Sequence, residues 1–302
     1  MKLLSWNICA GGGAKRRPQQ LAAIAEAGAD IVALQELTIA SVDDYRDGLA
    51  AAGLGHVIDS FALAPSLRRL VGPRRYGQMI ASRWPLTAMP PTEFAIPWRE
   101  RVLSGVVSVP GFGKLEIHNT HVPPGASNGW TKIRHLEGVF KRLATAASVP
   151  RILLGDFNTP KLEHPDGRIE TWGGVPSEDN RWDIGERNVL TKLASHDLHD
   201  AFRALHGYEQ PAFSIVVRGS ARRYDHVLSS RVLRPVMAEY VHLHREAKLS
   251  DHAPLMIHFK WDSKATPSRV GTATDRSGPA SAAARGQLAA RRQARRSGRS
   301  PR

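Results

Sequence analysis

Short apolar stretches that end abruptly on carboxylates or amides constrain this chain more than any other feature. Lys2-Leu3-Leu4 runs into Ser5-Trp6-Asn7, Ile31-Val32-Ala33-Leu34 into Gln35-Glu36, and Ile152-Leu153-Leu154 into Gly155-Asp156-Phe157-Asn158. Ser250-Asp251-His252 adds a fourth segment, with a histidine directly beside an aspartate. A brief apolar run bounded by turn signals reads as a strand buried on both faces, and its last side chains face open space where the strand ends. Four such ends, each delivering a hard oxygen, suit a divalent cation. A neighbouring imidazole can supply a base. Together they outline metal-assisted hydrolysis of a phosphoester.

The remaining pattern supports a mixed α/β chain. Strands are predicted at 2–6, 31–35, 78–82, 102–109, 114–120, 151–155, 225–229 and 255–260. Helices are predicted at 18–27, with Pro18 in the first turn, at 42–52 and at 131–146, with a further one around 198–205. In the third helix Ile133, Leu136, Phe140 and Leu143 recur at helical spacing and form a core-facing stripe. Pro110-Gly111-Phe112-Gly113 reads as a hairpin, which argues for antiparallel pairing and against a doubly wound parallel sheet. Two sheets flanked by helices satisfy the pattern best. The segment 161–188 lacks periodicity and is expected to be a long surface loop. Gly11-Gly12-Gly13 lacks the Gly-Lys-Ser/Thr ending of a phosphate-binding loop.

Charge divides the chain at about Asp262. Residues 263–302 hold ten Lys or Arg against the single acid Asp275, and are rich in Ala, Ser, Gly and Pro. Such a segment has too little apolar surface to fold alone. The expected organisation is a catalytic domain over 1–262 and a disordered, Arg-rich tail over 263–302, whose charge favours a polyanion such as nucleic acid over anionic lipid headgroups or a merely solvated extension. A single cysteine, Cys9, excludes an intrachain disulfide framework and a Cys-rich zinc site. No apolar run approaches the length of a membrane span, and Met1-Lys2 leads straight into a strand with no signal-peptide core. A cytoplasmic monomer without stable membrane insertion is expected.

The chemistry of phosphodiester hydrolysis assigns roles to these residues. A Mg²⁺ or Mn²⁺ ion held by oxygens offsets the repulsion between an anionic ester and its nucleophile. Glu36 is the principal ligand candidate, Asp251 adds a carboxylate, and Asn7 supplies an amide oxygen as ligand or water-positioner. Asp156 and Asn158 alternate along an extended chain, so both face one side. His252 is the candidate general base and Asp225, in Arg223-Tyr224-Asp225-His226-Val227, its orienting carboxylate; such a base contributes ~10²–10⁴-fold in rate. Each has a plainer alternative: a capped turn for Asp156 and Asn158, an N-cap or salt bridge for Glu36, a surface dipeptide for Asp251-His252; and for His121 and Glu100, whose candidate roles follow below, a structural histidine and a surface ion pair. For Trp130, Trp172 and Trp182, packing is favoured over base stacking.

Six fragments in order (SWN, LQE, THVPPG, GDFN, YDHV and SDH) resemble the endonuclease/exonuclease/phosphatase superfamily from about Met1 to Lys260. The resemblance implies a four-layer α/β sandwich, two packed mixed, mostly antiparallel sheets flanked by helices, with the site at one edge. It also implies that Glu36 is the main metal ligand with Asn7 and Asp251 near the metal. Asp156 would position or activate water, Asn158 would bind the scissile phosphate, and His252 with Asp225 would form a His–Asp pair. His121 would contact phosphate or protonate the leaving oxygen, with Glu100 of Arg99-Glu100-Arg101 as its carboxylate partner.

The basic tail favours a nucleic-acid substrate, DNA or RNA, bound through counterion release. A DNase-like nuclease is the leading expectation. Its alternatives are a phosphodiesterase or phosphatase acting on inositol-phosphate or phospholipid headgroups, and a non-enzymatic nucleic-acid-binding protein on a degenerate hydrolase scaffold.

Overall fold

Apolar residues that alternate between two partners explain the architecture. In the computed structural model, which describes residues 1–174 and 180–261, Ile31 and Ala33 point into one core while Val32 and Leu34 point into another. Ile152 and Leu154 likewise share the first core, and Leu153 faces a third. Successive strand side chains face opposite sides, so a continuous apolar run means a sheet covered on both faces.

The strands are β1 (Lys2–Asn7), β2 (Ile31–Leu37), β3 (His56–Asp59), β4 (Gly77–Ser82), β5 (Leu86–Ala88) and β6 (Val102–Val109). They continue with β7 (Gly113–His121), β8 (Arg151–Asp156), β9 (Leu162–Glu163), β10 (Ile169–Glu170) and β11 (His199–Asp200). Last come β12 (Ile215–Val217), β13 (Ser220–Arg222), β14 (Asp225–Ser229), β15 (Arg234–Tyr240) and β16 (Leu255–Lys260). The helices are α1 (Gly13–Ala27), α2 (Val42–Ala51), α3 (Gly125–Asn128), α4 (Trp130–Leu143), α5 (Arg181–Leu190), α6 (Ala201–His206) and α7 (His242–Glu246).

Two six-stranded sheets result, ordered β15-β16-β1-β2-β4-β3 and β11-β14-β8-β7-β6-β5. Each has one parallel pair, β1/β2 or β7/β8, among antiparallel neighbours. The shared core lies between them; α1 and α2 cover the outer face of the first sheet, and α4 and α5 that of the second. This is the four-layer sandwich expected from the resemblance. Near the end of the sheets the filling turns polar. Gln35 Nε2 donates to Asn119 Oδ1 at 2.8 Å, and Asn119 Nδ2 donates to the Leu34 and Met79 carbonyls. These bonds tie one sheet to the other just below the residues of interest.

Three expectations change. α1 begins five residues before Pro18, out of the left-handed Gly11, Gly12 and Gly13. Gly11 N–H donates to the Glu36 carbonyl and Gly12 N–H to that of Cys9, so two amides of this triplet serve a turn. The segment 161–188 is no simple loop: it carries β9, β10 and the start of α5. Asn180 caps α5 by accepting from Asp183 N–H, and the face it buries includes Asp183, Gly185 and Glu186 with Val189. Polar residues on the buried face hid its period. The helix expected near 198–205 starts only at Ala201, after the short strand β11. No helix of the described residues is long and apolar enough to cross a membrane. The expected tail, 263–302, lies outside the described residues.

Candidate active site

Strand register assembles the first half of the site. Asp225 on β14 pairs with Asp156 on β8, and Asp156 pairs with His121 on β7. Three neighbouring strands therefore end with Asp225, Asp156 and His121 in one row. Gly155, just before Asp156, has φ 124, and a Cβ there would lie 2.0 Å from the Thr120 carbonyl oxygen. Only glycine fits, which explains the Gly of the Gly-Asp-Phe-Asn fragment.

The other sheet supplies the facing half. Asn7 ends β1, and Glu36 sits at φ 65 where the β2/β4 register shifts. That bulge re-aims its carboxylate. Asn7 Nδ2 donates to Asp156 Oδ2 at 3.0 Å and to Glu36 Oε1 at 3.3 Å, so one amide joins carboxylates from both sheets. Its Oδ1 accepts from Cys9 N–H, and Glu36 Oε2 accepts from Ala10 N–H at 2.7 Å. Asn7 thus joins the acids of the two sheets through its Nδ2, while its Oδ1 faces the Cys9 amide.

The histidines differ. His252 Nδ1 is 2.6 Å from Asp225 Oδ2, and its Nε2 is 3.8 Å from Asp156 Oδ2. The backbone of His252 is held by Trp6 Nε1 on its carbonyl and by Ser250 Oγ on its N–H. Burial disfavours the imidazolium, but Asp225 and Asp156 outweigh it and lift the His252 pKa to about 10. Burial also raises Asp156, to about 7, with Asp225 adding to the rise and His252 opposing it. The carboxylates around the ring thus favour a proton on His252.

His121 faces the same acids, with Nε2 3.7 Å from Glu36 Oε1 and 3.6 Å from Asp156 Oδ2. Burial, then the Arg101 charge, pushes its pKa well below the usual range. The expected partner Glu100 is not there. Glu100 takes a bidentate pair from Arg74 at 2.7 and 2.8 Å, and Arg101 Nη1 points at His121 Nδ1 instead. Residues 99–101 form a tight 3₁₀ turn in which adjacent side chains diverge. Arginine only donates, so His121 Nδ1 accepts and the ring proton sits on Nε2, towards the acids.

Asn158, at φ 52, donates from Nδ2 to the Val122 carbonyl and from its N–H to Asp156 Oδ1. Its own carbonyl accepts from Lys132 Nζ, whose ammonium also pairs with Glu186. Asp251 is exposed at the rim, where its charge and that of Glu36 both act on Cys9. Sequence reading missed Arg101, Lys132 and Glu186. The only available signal was charge at buried helical positions: Lys132 sits beside Ile133 and three residues before buried His135.

The residues present fit a hard cation. Among the described residues no three His, Cys, Asp or Glu side chains make a ready cage. Magnesium needs none, since it keeps several waters and takes one or two carboxylates. Glu36, partly open, and buried Asp156 converge on one amide, while buried Asp225 Oδ1 has no hydrogen-bond partner.

Two six-stranded sheets flanked by helices make this an α/β sandwich, with acids and histidines gathered at one end. The chain belongs to the endonuclease/exonuclease/phosphatase family, whose model matches residues 4–252. No curated protein sequence matches it. Solved structures share its fold. An AP endonuclease from Archaeoglobus fulgidus superposes with a TM-score of 0.62 at 21% identity, covering 86% of this chain and 99% of that one. A 3'-5' exonuclease from Neisseria meningitidis gives 0.59 at 21%, over 86% and 100%. A Neisseria 3' phosphatase bound to a product DNA hairpin gives 0.57 at 23%, over the same shares.

Proposed function

We propose that this chain is a divalent-metal-dependent nuclease that hydrolyses phosphodiester bonds of DNA or RNA. The observation that carries the reading is the row Asp225–Asp156–His121 opposed by Asn7 and Glu36, with His252 seated on Asp225. Structural neighbours whose names specify AP sites, exonucleolysis and a DNA hairpin support nucleic acid as the substrate.

Glu36 would hold Mg²⁺ or Mn²⁺, with Asp251 at the rim and Asp156 beside it. Such an ion neutralises ester charge and lowers the pKa of bound water. The chain's own groups divide the remaining work. Asp156 orients the attacking water and takes its proton, for which a carboxyl pKa near neutrality is suited. The His252 imidazolium, oriented by Asp225, offsets negative charge growing on the phosphoryl oxygens. His121 donates from Nε2 to a phosphate or leaving oxygen, and the second N–H of the Asn158 amide is free to do the same.

One panel tests this: plasmid, single-stranded DNA, RNA, abasic duplex, an inositol polyphosphate and sphingomyelin, each with Mg²⁺ or EDTA. Metal-dependent cleavage of the nucleic acids that disappears in Glu36→Ala is expected. Turnover confined to the inositol phosphate or the lipid would reject the nuclease.

A further inference from the structure

A cleft of about 320 Å³ opens between the 60–74 segment and the turn before β6. Apart from Arg74 and Glu100, none of its lining residues belongs to the site described above. Leu63, Met89 and Pro91, each half-buried, and exposed Pro97 give it apolar surface among its polar lining. Its rim carries Arg69, Arg74 and Arg99.

The charges there do not balance. Arg74 already neutralises Glu100 through two hydrogen bonds. Arg69 and Arg99 are exposed, and neither has a side-chain partner among the described residues. Two free guanidiniums therefore stand over an apolar surface. Guanidinium binds phosphate through paired N–H groups and stacks on planar rings. The ligand this combination suits has an anionic group attached to a ring. The volume is at the small end of the roughly 300–1,000 Å³ typical of small-molecule sites, so it takes a single unit and not a duplex.

The position says what that unit is joined to. Glu100 lines the cleft, and the next residue, Arg101, bonds to His121 Nδ1 and to the Pro73 carbonyl. One turn of chain is thus both the wall of the cleft and the support of a histidine in the candidate active site. We propose that the cleft receives a nucleotide flanking the scissile phosphate, with its own phosphate on Arg69 and Arg99 and its base against the apolar surface. This rests on the nuclease reading and adds a subsite to it. It makes the enzyme prefer unpaired strands, whose bases are free to leave the stack.

The test uses the full chain with Arg69→Ala and Arg99→Ala combined. Both side chains are exposed, so the melting temperature should hold. Three quantities are measured in Mg²⁺: hydrolysis of a single-stranded oligonucleotide, hydrolysis of bis(p-nitrophenyl) phosphate, and binding of a phosphorothioate oligonucleotide against salt. The small diester has no flanking nucleotide, so its turnover should not change. Oligonucleotide kcat/KM should fall about tenfold to hundredfold, mainly through KM. The binding slope against log salt should flatten by about 0.7 for each phosphate that the variant no longer neutralises. A parallel fall on both substrates, or no fall on either, overturns the subsite while leaving the nuclease intact. Wild-type protein that cleaves only the small diester overturns the nuclease reading itself. Loss of binding to phosphatidylserine vesicles with oligonucleotide kinetics unchanged gives the cleft to a lipid headgroup and also overturns the proposal.

Discussion

Strand β14 separates two arrangements of histidine, acid and arginine that obey opposite rules. On one side Asp225 holds His252, with Asp156 close by and Glu36 and Asp251 beyond. On the other, His226 lies 3.6 Å from Asp200, and Arg223 bonds both Asp200 and Glu163 at 2.6 Å. Arg203 adds a second guanidinium on Glu163, also at 2.6 Å. The second cluster sets two arginines against two acids and is balanced. The first has an excess of carboxylates, and its Asp225 Oδ1 is unpartnered although buried. Balanced buried charge pins the hairpin segments to the sheet. An unbalanced cluster costs stability, and the excess of carboxylates is what the cation of the proposed function would offset.

The difference is sharpest in Asp156→Asn. Removing one of several crowded carboxylates should leave the melting temperature equal or higher, while kcat falls about 10²–10⁴-fold. Thermal melting and single-turnover cleavage, done side by side, read both quantities. An unfolded variant would place Asp156 in the scaffold and erase the contrast.

Arg223→Met breaks the opposite rule. It strands Glu163 and Asp200 with half their compensation, and loss of one partner from a buried ionic cluster costs about 3–5 kcal/mol. Urea unfolding should show that loss, and folded protein below the transition should still cleave. A loss under about 1 kcal/mol, the scale of a surface pair, would mean that this cluster does not hold the fold.

These contrasts also mark how far the sequence could be read. Strand ends and motif order were legible because apolar runs on both sheets stop at the same edge, so Asp156, Asp225 and Glu36 could be gathered from the chain alone. Which face each neighbour takes was not. Glu100 and Arg101 are adjacent in sequence and both buried, yet only the turn geometry decides that Arg101 meets His121. Helix α5 escaped notice for a related reason: Glu186 lies in its buried face because Lys132, fifty-four positions away, neutralises it. Hydrophobic periodicity cannot register a core position filled by an ion pair.

Protonation separates the two clusters in a third, smaller way. Burial works against Asp200 and Glu163, but Arg223 outweighs it and holds both carboxyls below their ordinary values. They bind fewer protons folded than unfolded, so their stabilisation is present above about pH 4–5 and is lost as pH falls. His252 is the reverse. Its folded pKa of about 10 exceeds the unfolded 6.5, so its contribution is complete below about 6.5 and disappears as pH rises towards 10. In EDTA, wild-type melting temperature should therefore decline between pH 7 and 10, and His252→Asn should flatten that decline. Asp200→Asn should instead flatten the acid side. An equal alkaline decline in wild type and His252→Asn would show that the imidazolium is not what the acids stabilise.

The smallest effect belongs to Arg101, which lies on the border between the two rules: buried like the scaffold arginines, yet touching a site histidine. Tyr76 and Trp98 lie 5.5 and 5.9 Å from its guanidinium carbon and keep it from swinging away. By donating into Nδ1 it fixes the tautomer of His121 and makes Nε2–H a stronger donor to developing charge. Arg101→Met should lower kcat about tenfold with KM nearly constant, the amount expected when a charge-assisted hydrogen bond is lost. His121→Gln removes the group through which it acts, so adding Arg101→Met to that variant should cause little further loss. If the two losses multiply instead, Arg101 serves the fold independently of His121, and it belongs with Arg223 on the scaffold side.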